Sequence, residues 1–151
     1  MSVVILALAS CASGTVSDTS QLVDVSSEPT PTAVVTLVNG VTRVVIHLSP
    51  TEGEGQIGTA VFNSVGDSTT VEISVEPQTT DAQPIHIHSG ICTDVGAVRH
   101  ALQNVVRGSS VTVIDLSLKE IISDGALVNV HESYTHASNY TACGQIPLDL
   151  P

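Results

Sequence analysis

The chain reads as an all-β domain, with about eight short antiparallel strands folded into a sandwich or barrel. Three observations predict it. Apolar and polar residues alternate with a period of two, as in Val71, Ile73 and Val75 against Glu72, Ser74 and Glu76. Turn residues interrupt the runs at short intervals, at Pro50, Gly53, Gly55, Gly66, Gly108 and Gly125. The composition is 42% hydrophobic but 2% aromatic, with Phe62 as the one Phe, so the core must be Val, Ile, Leu and Ala. Such β-branched richness favours strands over helices. The 151 residues suit one domain. A chain of that size hides roughly 70% of its unfolded surface.

Element by element, Asn39-Gly40 between two apolar runs is a hairpin signal, because both residues tolerate the positive φ of a type I′ turn. The run after it places Val44, Ile46 and Leu48 on one face and Arg43, Val45 and His47 on the other. Further strands are expected over 58–63, 71–76, 84–89, 97–102, 110–116 and 126–131, with a short one near 145–147. Ser117-Leu118-Lys119-Glu120-Ile121-Ile122 suits a single helical turn capped by Ser117.

Before the strands lie two segments of other character. Residues 1–11 read as a lipoprotein signal: an apolar run over 3–9, then the lipobox Leu8-Ala9-Ser10-Cys11, with Cys11 the lipidation site. No Lys or Arg precedes the run, so the signal lacks the usual basic start. The other reading is an apolar tail. The run is too short to span a bilayer, so membrane attachment would be by lipid anchor only. Residues 12–32 are rich in Ser, Thr and Pro, the composition of a tether. The β-domain is then expected over 33–151, outside the cytoplasm on a membrane-anchored lipoprotein.

Four Lys and Arg against fifteen Asp and Glu give a net charge of −11, which argues against nucleic-acid binding, since phosphate contacts need cations. The chemistry lies in the histidines. On a strand, His86 and His88 project to one face and Ile85 and Ile87 to the other, an arrangement that suits two ligands on one metal. Two exposed polar positions would show the same pattern. His131 ends the apolar run Leu127-Val128-Asn129-Val130 and can bring a third imidazole from a distant strand. His136 follows in a Ser/Thr/Asn loop as a further ligand or an entrance residue, and Glu132 is placed to orient a ligand ring or to stay solvated. His47 and His100 read as structural or surface residues. With Cys11 assigned to lipid, Cys92 and Cys143 remain, either as a disulfide in an oxidising compartment or as buried thiols. Imidazole suits several metals, and the affinity order favours Cu(II).

Taken in order, His86-Ile87-His88, Cys92, Val130-His131-Glu132 and Ala142-Cys143-Gly144 resemble copper/zinc superoxide dismutase. Gly55-Gln56-Ile57-Gly58-Thr59-Ala60-Val61-Phe62 resembles an early strand of that family, and the likeness extends over about residues 55–146. It implies an eight-stranded antiparallel Greek-key β-barrel, copper held by His86, His88 and His131, and a Cys92–Cys143 disulfide. A lesser resemblance is to chordin-type domains, which share His-x-His-x-Gly. Two departures stand out. Only Thr93 separates Cys92 from Asp94-Val95-Gly96, so the family's zinc loop and its histidines are missing, which argues against a zinc site. Tyr140 occupies the position of the family's anion-guiding Arg, with Arg99 the best substitute by sequence. The expectations are therefore a copper-only superoxide dismutase-like enzyme acting on superoxide, a copper-binding module for storage, sensing or delivery, or a structural β-domain without metal.

Overall fold

The period-two patterning becomes nine strands and one helical turn in the computed structural model, which describes residues 33–51, 53, 55–123 and 125–148. The lipobox with Cys11 and the tether over 12–32 lie outside the described residues. The strands are β1 (Ala33–Val38), β2 (Val41–Pro50), β3 (Ile57–Val65), β4 (Ser68–Glu76), β5 (Ile85–Ile91), β6 (Asp94–Ala101) and β7 (Ser109–Ile114). The helical turn α1 (Leu118–Ile121) follows, then β8 (Ala126–His131) and β9 (Tyr140–Ile146). Asn39 and Gly40 take φ of 52° and 78°, so the first hairpin turns as its sequence requires. Ser117 caps α1 in a reciprocal capping box with Glu120.

Every pairing is antiparallel. Eight strands follow one hydrogen-bonded path, β6-β5-β8-β9-β2-β3-β4-β7, and β1 adds to β2 beside it. β8 returns to β5 rather than to its sequence neighbour β7, the long return of a Greek key. The path ends at β6 and β7, so the sheet curls into a half-barrel. The expectation of an eight-stranded antiparallel β-architecture holds, with the curl left open between those two edges.

Inside the curl, Val44, Ile46, Phe62, Val71, Val75, Ile85, Ile87, Val128 and Val130 are buried to within 1%. Burying one such side chain contributes about 1.5–3 kcal/mol against its exposed state. Leu118 and Ile121 of α1 join this core. The turn is tied down where the Leu118 N–H donates to Ser64 Oγ (3.0 Å) and Thr69 Oγ1 donates to the Leu116 carbonyl (2.8 Å). No helix among the described residues is long and apolar enough to cross a membrane.

Candidate metal centre

β5 and β8 are adjacent, and their register decides which side chains meet. Ile85 pairs with Val130, His86 with Asn129 and Ile87 with Val128. Residues directly opposite in an antiparallel pair share a face. The apolar partners turn into the core, so His86, His88, Leu127, Asn129 and His131 share the other face. The His131 N–H donates to the Pro84 carbonyl (2.9 Å), which holds β8 beside β5 up to its last residue. Against β6, the register shifts on both sides of His88.

These constraints bring His86, His88 and His131 together, with one ligand atom of each within 4.8 Å of the others. The ring centroids are 4.8 Å apart for His86–His131, 5.5 Å for His86–His88 and 5.8 Å for His88–His131. Two backbone carbonyls orient the rings. The His88 Nδ1–H donates to Gly96 O (3.0 Å), and the His131 Nδ1–H donates to Ala137 O (2.5 Å). Each bond fixes a tautomer and leaves Nε2 as a lone pair. The third ring presents Nδ1: His86 Nδ1 lies 2.9 Å from His131 Nε2.

The donor set fits a metal. At metal–nitrogen bonds of about 2.0–2.1 Å, neighbouring nitrogens stand roughly 2.9 Å apart at a right angle and about 4.1 Å apart in line. The 2.9 Å pair already has the first spacing, and since only one pair can lie in line, spacings at the 4.8 Å limit would have to close by about 1 Å or more around one ion. His88 Nε2 is buried and has no hydrogen-bond partner, an atom that a metal would satisfy. Burial lowers the His86 pKa, with the neighbouring His131 and His88 adding to it. Burial also lowers that of His131, against the opposing pull of its bond to Ala137. Both rings are therefore neutral near pH 7, the form that binds metal.

Around the cluster is a brace with little sequence signature. Gln56 and Gln83 are buried and exchange amide hydrogen bonds (3.0 and 2.8 Å). Gln83 Nε2 also donates to the His131 carbonyl (3.1 Å), and Thr141 Oγ1 donates to Gln56 Oε1 (2.7 Å). Cys92 and Cys143 form a disulfide that ties the end of β5 to β9 across 51 residues of chain. Tyr140 packs edge-on against His131, with centroids 5.0 Å apart.

Other singled-out residues stand apart. His136 is exposed, and its Nδ1 lies near Ser133 Oγ (3.3 Å), Thr135 Oγ1 (3.2 Å) and Glu132 (3.9 Å), outside the three-histidine cluster. The Glu132 carboxylate accepts from Asn139 Nδ2 (2.7 Å), while the rings of His88 and His131 donate to backbone carbonyls. Arg99 donates to Ser123 Oγ (3.1 Å) and Gly125 O (3.4 Å), in the connection from α1 to β8. His47 and His100 lie on β2 and β6 and are not in the cluster. Sequence reasoning missed Gly96 and Ala137, which act through carbonyls that every residue owns. It also missed the Gln56–Gln83 pair and Asn129, although a polar residue two before His131 on its strand was a signal.

The fold and site define an all-β half-barrel protein with a buried three-histidine cluster able to hold a metal. Set against known proteins, the chain matches no family model, no curated protein and no solved structure.

Proposed function

We propose that the protein is a copper-binding, superoxide dismutase-like lipoprotein, with His86 Nδ1, His88 Nε2 and His131 Nε2 as the ligands. The carrying observation is the convergence of three imidazoles with the buried His88 Nε2 unpartnered. Copper follows from the all-imidazole set and the affinity order, and from the resemblance of the ordered motifs to copper/zinc superoxide dismutase. Bound copper would supply the one-electron couple that superoxide disproportionation needs. The chain's part is to hold the rings: the Gly96 and Ala137 carbonyls keep Nδ1–H on His88 and His131, so both direct Nε2 toward the site. Gln83 holds the backbone of His131, and the edge-on Tyr140 limits how that ring can turn. The disulfide supports an oxidising, extracytoplasmic location. Anchoring by Cys11, a tether over 12–32 and a β-domain over 33–151 belong to the same proposal.

A second reading, copper held without turnover, is favoured by the charge. Tyr140 replaces the guiding Arg, Arg99 is bonded to Ser123 and Gly125, and a net charge of −11 repels an anion. One experiment separates the two. The purified chain is titrated with Cu(II) against a competing chelator, and superoxide decay is compared with free-copper controls. One copper per chain is expected, with affinity at least about 100-fold lower in His86→Ala and His131→Ala. Dismutation above the controls supports the enzyme. Copper uptake without it supports the holding module, and no uptake overturns both.

A further inference from the structure

Among the described residues, the buried side-chain polar atoms without a hydrogen-bond partner are His88 Nε2, Asn129 Nδ2, Asn129 Oδ1 and Ser110 Oγ. Three of the four thus belong to the face of β5 and β8 that carries the histidines. Asn129 is 0% exposed, with neither end of its amide hydrogen-bonded. An unpaired buried amide is rare, because the group loses water and gains nothing in exchange. Its place makes it more than a packing fault. Asn129 sits opposite His86 on β5, opposite Cys143 on β9, and two residues before His131 on its own strand. It therefore lies beside the triad on the sheet, level with His86.

His86 gives the height of the site above that sheet. It meets His131 through Nδ1, the ring nitrogen nearer its own backbone. The Asn129 side chain rises from the same face of the sheet, directly opposite His86. We propose that the Asn129 side-chain oxygen is a fourth donor of the metal centre, completing His86, His88 and His131 from the sheet below. This rests on the copper reading. An amide oxygen is neutral and compatible with Cu(II) beside imidazole. Three imidazoles and an amide leave the full charge of the ion uncancelled. That sharpens the proposed activity, because the ion would then be the local attraction for an anion on an otherwise acidic protein.

The test uses the full chain with Cu(II) and, as a diamagnetic probe, Zn(II). Asn129→Leu keeps the branched shape and removes the donor. Its Cu(II) affinity is expected to fall at least about tenfold, with a changed electron paramagnetic resonance spectrum. Asn129→Asp is expected to bind more tightly than the unsubstituted chain, since a carboxylate adds charge to the same reach. Without any variant, adding Zn(II) to chain labelled at asparagine should shift the Asn129 side-chain carbonyl ¹³C resonance. That measurement decides the matter where a variant fails to fold. An unmoved resonance overturns the proposal, as does Asn129→Leu with unaltered affinity and spectrum. Those results leave three-histidine copper binding standing. A chain that binds no copper sinks the copper reading itself.

Discussion

β4 and β8 are both strands of the same curled sheet, yet they bury themselves differently. Along β4 burial alternates: Thr69, Val71, Ile73 and Val75 are inside, while Ser68, Glu72, Ser74 and Glu76 are in water. In β8 all six residues are buried. The inner faces do the same work in both, packing Val71, Ile73 and Val75 or Val128 and Val130 into one core. The difference is on the outer face. In β4 it carries Glu72, which water solvates at no cost. In β8 it carries Asn129 and His131, buried beside β5 and β9. A polar group facing water needs no partner, whereas one facing the interior does. The outer face of β8 is therefore where the chain accepts a polar interior, and that is where the three imidazoles converge.

Breaking the staple on the β8 side should have the largest effect. Removing the Cys92–Cys143 bridge in a Cys92→Ala/Cys143→Ala chain releases a 51-residue loop, at a cost of about 4 kcal/mol in the chain-entropy model. Urea denaturation of the metal-free protein measures it. Copper affinity should fall as well, because Cys143 stands beside Asn129 on β9.

Opening a cavity on the other side gives the counterpart. Ile73→Ala in β4 should cost about 2–4 kcal/mol by the same assay. Copper affinity, measured well below the melting temperature, should stay as it was. If Ile73→Ala weakens copper as much as loss of the disulfide does, the two regions are one mechanical unit and the contrast fails.

A smaller effect should follow pH. Burial and neighbouring charge lower the pKa of His86, His131 and His100 from 6.5. Below pH 6.5 the unfolded chain binds protons that the folded chain resists, so stability falls as pH falls. Above that value these groups are neutral in both states and contribute no slope. Melting temperatures of the metal-free protein between pH 4.5 and 8 should show the decline on the acid side alone, with a shallower slope in His131→Ala.

The smallest change is expected at Glu72→Ala, within about 0.5 kcal/mol of the unsubstituted protein. Glu72 is exposed, and its carboxylate accepts one long bond from Asn63 (3.3 Å). A loss well beyond that value would mean the outer face of β4 is also covered, and the contrast with β8 would go.

Much of this contrast was legible in the order of residues. Val71-Glu72-Ile73-Ser74-Val75 declares its two faces, because alternation is a local property of an extended chain. Asn39-Gly40 declares its turn and Ser117 with Glu120 its cap, since each acts within a few residues. His86 and His88 declare a shared face for the same reason. The copper ligand set and the disulfide came from the resemblance of ordered motifs, and the bridge is present in the fold. Strand pairing was not legible, because its hydrogen bonds use backbone groups that all residues but proline carry in full. No side chain announces that β8 lies between β5 and β9, or that β6 and β7 end the path. That placement alone seats His131 against His86, aims the Gly96 and Ala137 carbonyls at two rings, and closes β8 over Asn129. Residue type and local spacing settle which side chains could bind a metal. That they meet follows from the fold, because only long-range pairing converts separate strand faces into one site.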